Sequence, residues 1–416
     1  MAAESTGRAR APHIGEHIMT KRSMTRRVSF MTCLALVASA GAALAADWPV
    51  YRGPSHNGIS AEAGWFAPGA KLAVAWQQKV GTGCSSMAVV GDRVYTMGNV
   101  RNTDTVYCFS ADGKLVWKFP YPCPLQPKLY EGGPSATPTV ADGKVYTFSK
   151  LGHVHCLDAK TGKKLWGVQL DAKAPTWGFA GSPLVLGEAV YLNAGPAGTA
   201  LKKASGDVLW SSGTDRGGYS TPVPFEQGGR TLLGMLGAKS VLAVQASDGK
   251  VAWQHPWKTS YDVNAADPII LDGGKRVFVS SGYGTGCALL KVDGASVSEI
   301  WRNKNMRNKH TNSVVCNGAV FGFDETSLAC IDLAGGQEKW SKSGAGRGAL
   351  MLADGKLVIL FERGKVAVAE ASPDAYKELA AVQAVSGKCW AAPVLANGRI
   401  YARSKAGALA CVTIEK

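Results

Sequence analysis

Apolar and polar residues alternate in short bursts along most of this chain, and Gly-rich turns separate the bursts. Residues 135–166 show the pattern in full. They read as strand, turn at Asp142–Gly143, strand, turn at Gly152, strand, turn at Thr161–Gly162, strand. Residues two apart, such as Val145 and Thr147, suit antiparallel strands that bury one face. Four strands therefore make one unit. A sheet of four needs partners on both faces, and a closed ring of like units supplies them.

The unit repeats. Trp76, Trp117, Trp166, Trp210, Trp253, Trp301 and Trp340 lie 39 to 49 residues apart. A period in the forties with Gly-rich turns indicates four-stranded blades of a β-propeller. The frame CLDAKTGKKLW at 156–166 recurs as ALKKASGDVLW at 200–210, AVQASDGKVAW at 243–253 and CIDLAGGQEKW at 330–340. Each has a small residue first, Gly seventh and Trp eleventh. The Gly suits a hairpin turn at positive φ. The Trp starts the next strand and offers a large apolar area to the seam between blades. The small first residue leaves room for its ring.

Inner strands are expected near Ser86, Thr137, Ser182, Thr221, Asp267, Ser313, Ala349 and Ala392, which gives an all-β, eight-bladed propeller. Blade seven lacks the Trp and runs into YKELAAV at 376–382. Blade eight ends with the chain after three strands. Its outer strand is expected to be KLAVAWQQKV at 71–80, an N-terminal strand that closes the ring. The domains are then a signal peptide and extension at 1–45, a lead-in segment at 46–70, and the propeller at 71–416.

These frames resemble the tryptophan-docking repeats of quinoprotein-type propellers. WPVYRGPSHNGIS at 48–60, with WGFAGSPLV, GYSTPV, NAADP, SSGYGTGCALLKV, NKNMRN and KCWAAPVLANGRIYAR, is similar to a secreted bacterial group, the PQQ-binding-like β-propeller repeat proteins. Members of that group are labelled by analogy with quinone-dependent alcohol dehydrogenases or with the propeller lipoprotein of outer-membrane assembly. The resemblance implies the fold, but a fold does not fix a function.

The first 45 residues read as a secretory leader. Lys21, Arg22, Arg26 and Arg27 precede an apolar stretch at 28–44, and Ala43-Leu44-Ala45 offers cleavage near Ala45. Met19 or Met24 suits a start closer to that stretch, and Cys33 has no lipobox around it. The expected location is periplasmic or secreted. No later segment approaches the roughly 20 apolar residues that a membrane helix needs.

The chain carries a net charge of +15; six Lys/Arg and two Asp/Glu fall in the leader, so the remainder carries +11. Such a balance can favour acidic partners. However, Lys/Arg runs after the leader never exceed two, so nucleic acid is not an expected partner. Nine cysteines follow the leader, an odd number that leaves at least one thiol without an intramolecular mate. Cys156, Cys330 and Cys411 hold the small first position of their frames and read as core residues. Cys84 and Cys389 open neighbouring inner strands across the closure, where a disulfide is a candidate.

The chain contains no CxxCH, no adjacent Cys pair, no HExxH and no GxSxG. The resemblance implies that a catalytic quinoprotein would carry a Cys–Cys platform, so its absence weighs against a dehydrogenase. His153 and His155 share one strand face but lack a third metal ligand, and read as blade-surface residues.

Segments feeding the inner strands converge on one mouth of the channel. They carry Glu131, Trp177, Arg216, Tyr219, Asp262, Asn264, Asp267, Lys309, His310, Arg347, Lys388 and Trp390. Aromatic surfaces with charges of both signs suit sugars or carboxylated small molecules. The favoured expectation is an exported, non-catalytic propeller that binds a small ligand, a glycan or an envelope protein there. The alternative is a PQQ-dependent alcohol dehydrogenase. In that case Arg216, Arg347, Lys309 and Lys388 neutralise the quinone carboxylates and Trp177 or Trp390 stacks on its rings. Glu131, Asn264 and Asp267 would hold Ca²⁺, and Asp262 or Asp267 would act as base.

Overall fold

Eight antiparallel sheets, each of four strands in simple up-and-down order, make up the chain from residue 71 onward. The computed structural model describes residues 46–127 and 130–415. The expected signal peptide, residues 1–45, lies outside the described residues. The eight sheets form the eight-bladed propeller that the repeat predicts.

Blades one to seven span 88–122, 139–169, 184–211, 223–256, 269–303, 314–342 and 349–383. Blade eight has three strands from the C-terminal end: Val394–Ala396, Arg399–Arg403 and Ala408–Glu415. Its fourth is Lys71–Lys79, antiparallel to Ala408–Glu415, in a register from Lys71↔Glu415 to Lys79↔Ala408. The N-terminal strand thus closes the ring.

The repeat tryptophans differ in detail from the sequence expectation. Each is the third residue of its outer strand in blades one to four and in blade six, rather than the first. The ladder slips one residue beside each of the seven, as at Lys164/Trp166, and slips likewise in blade seven. Such a bulge re-aims a side chain. In six blades the indole Nε1–H donates to a carbonyl of the next blade at 2.9–3.0 Å, as from Trp117 to Ala159. In five of these the ring lies on that blade's turn glycine; Trp340 meets Ser372-Pro373 of blade seven instead. A Cβ on Gly162 would stand 2.6 Å from Trp117 ring atoms, and Gly162 has φ +73°. The frame glycine therefore meets two demands, a left-handed turn and a surface flat enough for an indole.

The first residue of each frame faces its Trp directly, as Cys156 faces Trp166 and Cys330 faces Trp340. Cys156, Cys330 and Cys411 are fully buried, as their frame position implies. Cys84 and Cys389 are free thiols rather than a disulfide. His155 is not a blade-surface residue. Its ring packs in the seam, 4.5 Å from Tyr121 and 5.3 Å from Phe119 of blade one.

A hydrogen-bonded belt links the starts of the inner strands. Ser86 N–H donates to Thr137 Oγ1, Thr137 N–H to Ser182 Oγ, Ser182 N–H to Thr221 Oγ1, Thr221 N–H to Asp267 Oδ1, and Asp267 N–H to Asn312 Oδ1. Each blade's side chain satisfies the backbone of the blade before it.

The lead-in does more than precede the ring. It lies across the channel at the end where the inner strands finish. Trp48 exchanges backbone bonds with Val89 of blade one, and Pro49 accepts from Val140 of blade two. Ile59–Ser60 adds a parallel strand to Ala349–Ala353 of blade seven. Asn397 N–H of blade eight donates to Ala46. Arg52 donates to the Ser313 carbonyl of blade six, and Asn312 donates to the Tyr51 hydroxyl.

Candidate ligand-binding site at the channel mouth

In an antiparallel blade the start of the first strand and the end of the second share one end of the sheet. Two sets of loops therefore surround the open mouth: the feeder segments, and the turns between second and third strands. Between them lies a cavity of about 360 Å³. The lead-in supplies its floor through Tyr51.

Seven of the residues expected at the mouth line this cavity: Trp177, Tyr219, Asp267, Lys309, His310, Arg347 and Trp390. Trp177 and Trp390 are half-buried and face the cavity. Among the repeat tryptophans only Trp117 and Trp253 are sealed; the other five are half-buried at the outer rim.

Trp390 is already well covered. His310 stacks on it at 4.2 Å and 25°, and Lys405 Nζ lies 3.5 Å from the ring centre. Trp390 Nε1–H donates to Glu362. Trp177 holds the opposite wall: Tyr130 donates to its carbonyl at 2.8 Å and meets its ring edge-on at 6.3 Å. Lys309 sits 4.4 Å over Tyr283 and 3.5 Å from Glu325.

The electrostatics follow from burial. His310 is held neutral, its pKa lowered to about 3 by desolvation and by Lys309, Arg347 and Lys405. Desolvation raises Asp267 to about 6, against the pull of Arg52 and hydrogen bonds from Thr221 and Asn312. Lys405 holds the Glu131 carboxyl below its usual range.

Five expected residues are placed otherwise. Arg216 and Lys388 are exposed and, with Asp262, do not line the cavity. Asn264 is fully buried; its amide donates to the carbonyls of Gly237, Ala238 and Trp257 and accepts from Ser281. Glu131 pairs with Lys405. These bonds bear on the expected calcium ligands. Asn264 Oδ1 is buried and accepts from Ser281, Glu131 is committed to an ammonium, and Asp267 is held by Thr221, Asn312 and Arg52. The three do not fit a Ca²⁺ site, and no other group of three or more His, Cys, Asp or Glu among the described residues suits a metal.

Several cavity or rim residues escaped the sequence reading, among them Tyr51, Tyr130, Tyr283 and Lys405, and the hydroxyls of Ser182 and Thr221. Tyr51 belongs to the lead-in. Tyr283 and Lys405 sit on turns after second strands, the second set of loops at the mouth. Their signal was the Gly-Tyr and Ser-Lys that follow the strands Arg276–Ser281 and Arg399–Arg403.

Comparison with known proteins agrees with the propeller fold. A family described as outer membrane protein assembly factor BamB matches residues 102–342. The chain belongs to this PQQ-like propeller family. Quinoprotein alcohol dehydrogenase PedH of Pseudomonas putida is 30% identical over 175 residues, 38% of this chain and 27% of its own length. Outer membrane protein assembly factor BamB of Burkholderia pseudomallei is 23% identical over 249 residues, 56% of this chain and 58% of its own. The chain thus spans less than two thirds of the length of either relative. The crystal structure of BamB from Moraxella catarrhalis has a TM-score of 0.61 at 15% identity, covering 82% of this chain and 97% of that one. Such a likeness concerns the fold. No helix among the described residues is long and apolar enough to cross a membrane.

Proposed function

We propose that this propeller is an exported, non-catalytic binding protein of the bacterial envelope that holds a small molecule in its channel mouth. The cavity carries the reading: it is floored by Tyr51 and walled by aromatic rings and cations. A concave site with a few converging polar groups is what small-ligand recognition requires. The assembly-factor name of the Burkholderia relative supports an envelope setting. A thermal-shift screen of small metabolites tests the reading. Ala180 lines the cavity and is half-buried, so Ala180→Trp fills the space with little disturbance of the core. Hits on the parent that vanish in Ala180→Trp support the reading; a screen without hits, or hits indifferent to the substitution, defeats it.

The dehydrogenase alternative keeps two supports: the likeness to PedH, and Asp267, a cavity carboxylate whose pKa of about 6 suits a base. Dye reduction with an alcohol panel, in the presence of PQQ and Ca²⁺, decides it.

A further inference from the structure

Charge at the mouth pairs off almost completely. Lys405 has Glu131, Lys309 has Glu325, and Asp267 has Arg52. Glu362 accepts from Trp390. Arg347 is left over. It lines the cavity, and among the described residues it makes no hydrogen bond or ion pair and has its Nε buried without a partner. A buried guanidinium donor without an acceptor is costly, and an anion in the cavity would relieve it.

The belt of inner-strand bonds adds a second observation. Ser182 Oγ and Thr221 Oγ1 each accept a backbone N–H from the preceding blade. A hydroxyl that accepts still has its own proton to give. Neither proton has a protein acceptor among the described residues, yet both side chains line the cavity and both are buried. The site therefore presents donors, from Arg347 and two hydroxyls, while its one lining carboxylate, Asp267, is already engaged. Aromatic walls at Trp177, Tyr219 and Tyr283 suit the C–H faces of a sugar ring. At about 360 Å³ the cavity falls at the small end of ligand pockets, which run from about 300 Å³ upward.

We infer that the ligand is a sugar acid, with its carboxylate on Arg347 and hydroxyl oxygens of its ring accepting from Ser182 and Thr221. This rests on the small-molecule reading above. Free uronate and the end of an acidic glycan share this chemistry.

Calorimetric titration of the full chain with glucuronate, galacturonate, glucose, galactose and trigalacturonate tests it. The uronates should bind at least about tenfold more tightly than the neutral sugars, the scale of a charge-assisted contact. Arg347→Gln should remove that advantage, weakening uronates far more than neutral sugars, and Arg347→Lys should restore part of it. Arg347 bonds to nothing among the described residues, so the variant should fold; an unchanged melting temperature checks this. Tighter binding of trigalacturonate than galacturonate identifies a glycan end, and the reverse a free sugar acid. Equal affinity for neutral and acidic sugars, uronate binding indifferent to Arg347→Gln, or no binding of any uronate overturns the inference. Metabolite hits lost in Ala180→Trp would still stand in each of these cases, which separates this failure from failure of the cavity reading.

Discussion

Arg52 Nε lies 4.0 Å from Asp267 Oδ2, and both side chains are almost wholly withdrawn from solvent. The contact joins a segment ahead of the first blade to the start of blade five. Arg52 also donates to the carbonyls of His56, Asn57 and Ser313.

Removing one partner of a buried pair leaves the other charge stranded, at a cost of about 3–5 kcal/mol. Arg52→Ala should approach that loss in chemical denaturation. Arg52→Met combined with Asp267→Asn should recover part of it, because neither charge is then left alone. A single substitution without effect would mean that the lead-in does not brace the ring.

Two buried groups should give stability opposite trends with pH. Asp267 releases its proton near 3.8 when unfolded and near 6 when folded. Its contribution is full below about 3.8 and is lost as pH rises through 6. The stability of the parent relative to Asp267→Asn should therefore fall between pH 4 and 7. His310 has an ordinary value of 6.5 and a folded value of about 3. Its contribution is full above 6.5 and is lost as pH falls toward 3, so the parent should weaken relative to His310→Gln on acidification. Urea titrations across pH check both signs.

Trp117 and Gly162 are two halves of one contact. Trp117→Ala should cost about 3–5 kcal/mol, as for a sealed aromatic ring. Gly162→Ala should cost about 1–3 kcal/mol through its left-handed φ, and more if the indole cannot retreat. Trp177→Ala should cost less stability than Trp117→Ala and reduce ligand affinity. Melting temperatures of the three variants, with ligand titrations, give the order.

Deleting residues 71–79 should unravel more than one edge. Blade eight would lose its outer strand and expose Ala408–Glu415 as an unpaired edge, which invites association. Calorimetry should show a broadened transition at lower temperature, and gel filtration larger species. A sharp transition near the parent temperature would refute closure by this strand.

The ring was legible because its rule is local. Cys156, Gly162 and Trp166 fall within eleven residues, and the same geometry recurs at most of the seams. Blade eight's missing strand could be deduced because a three-stranded end and a lone early strand complement one another. The mouth was only partly legible. Feeder segments announced Trp177, Lys309 and Arg347, but an Asn at 264 looks the same in sequence whether it faces a ligand or ties three carbonyls together. Tyr283 and Lys405 needed the second set of turns to be placed at the same end. Tyr51 was hidden for another reason: nothing in WPVYRG says that the segment doubles back across the channel rather than trailing from it.

With Tyr51 as its floor, the channel would serve the proposed ligand as a flask and not as a pipe. Arrival and departure share one neck. A second molecule cannot enter behind the first and push it through, so the resident must leave before a rival can dock. Its escape rate should then be independent of how much competitor waits outside, with occupancy timed by the rim of Trp177, Tyr283 and Arg347.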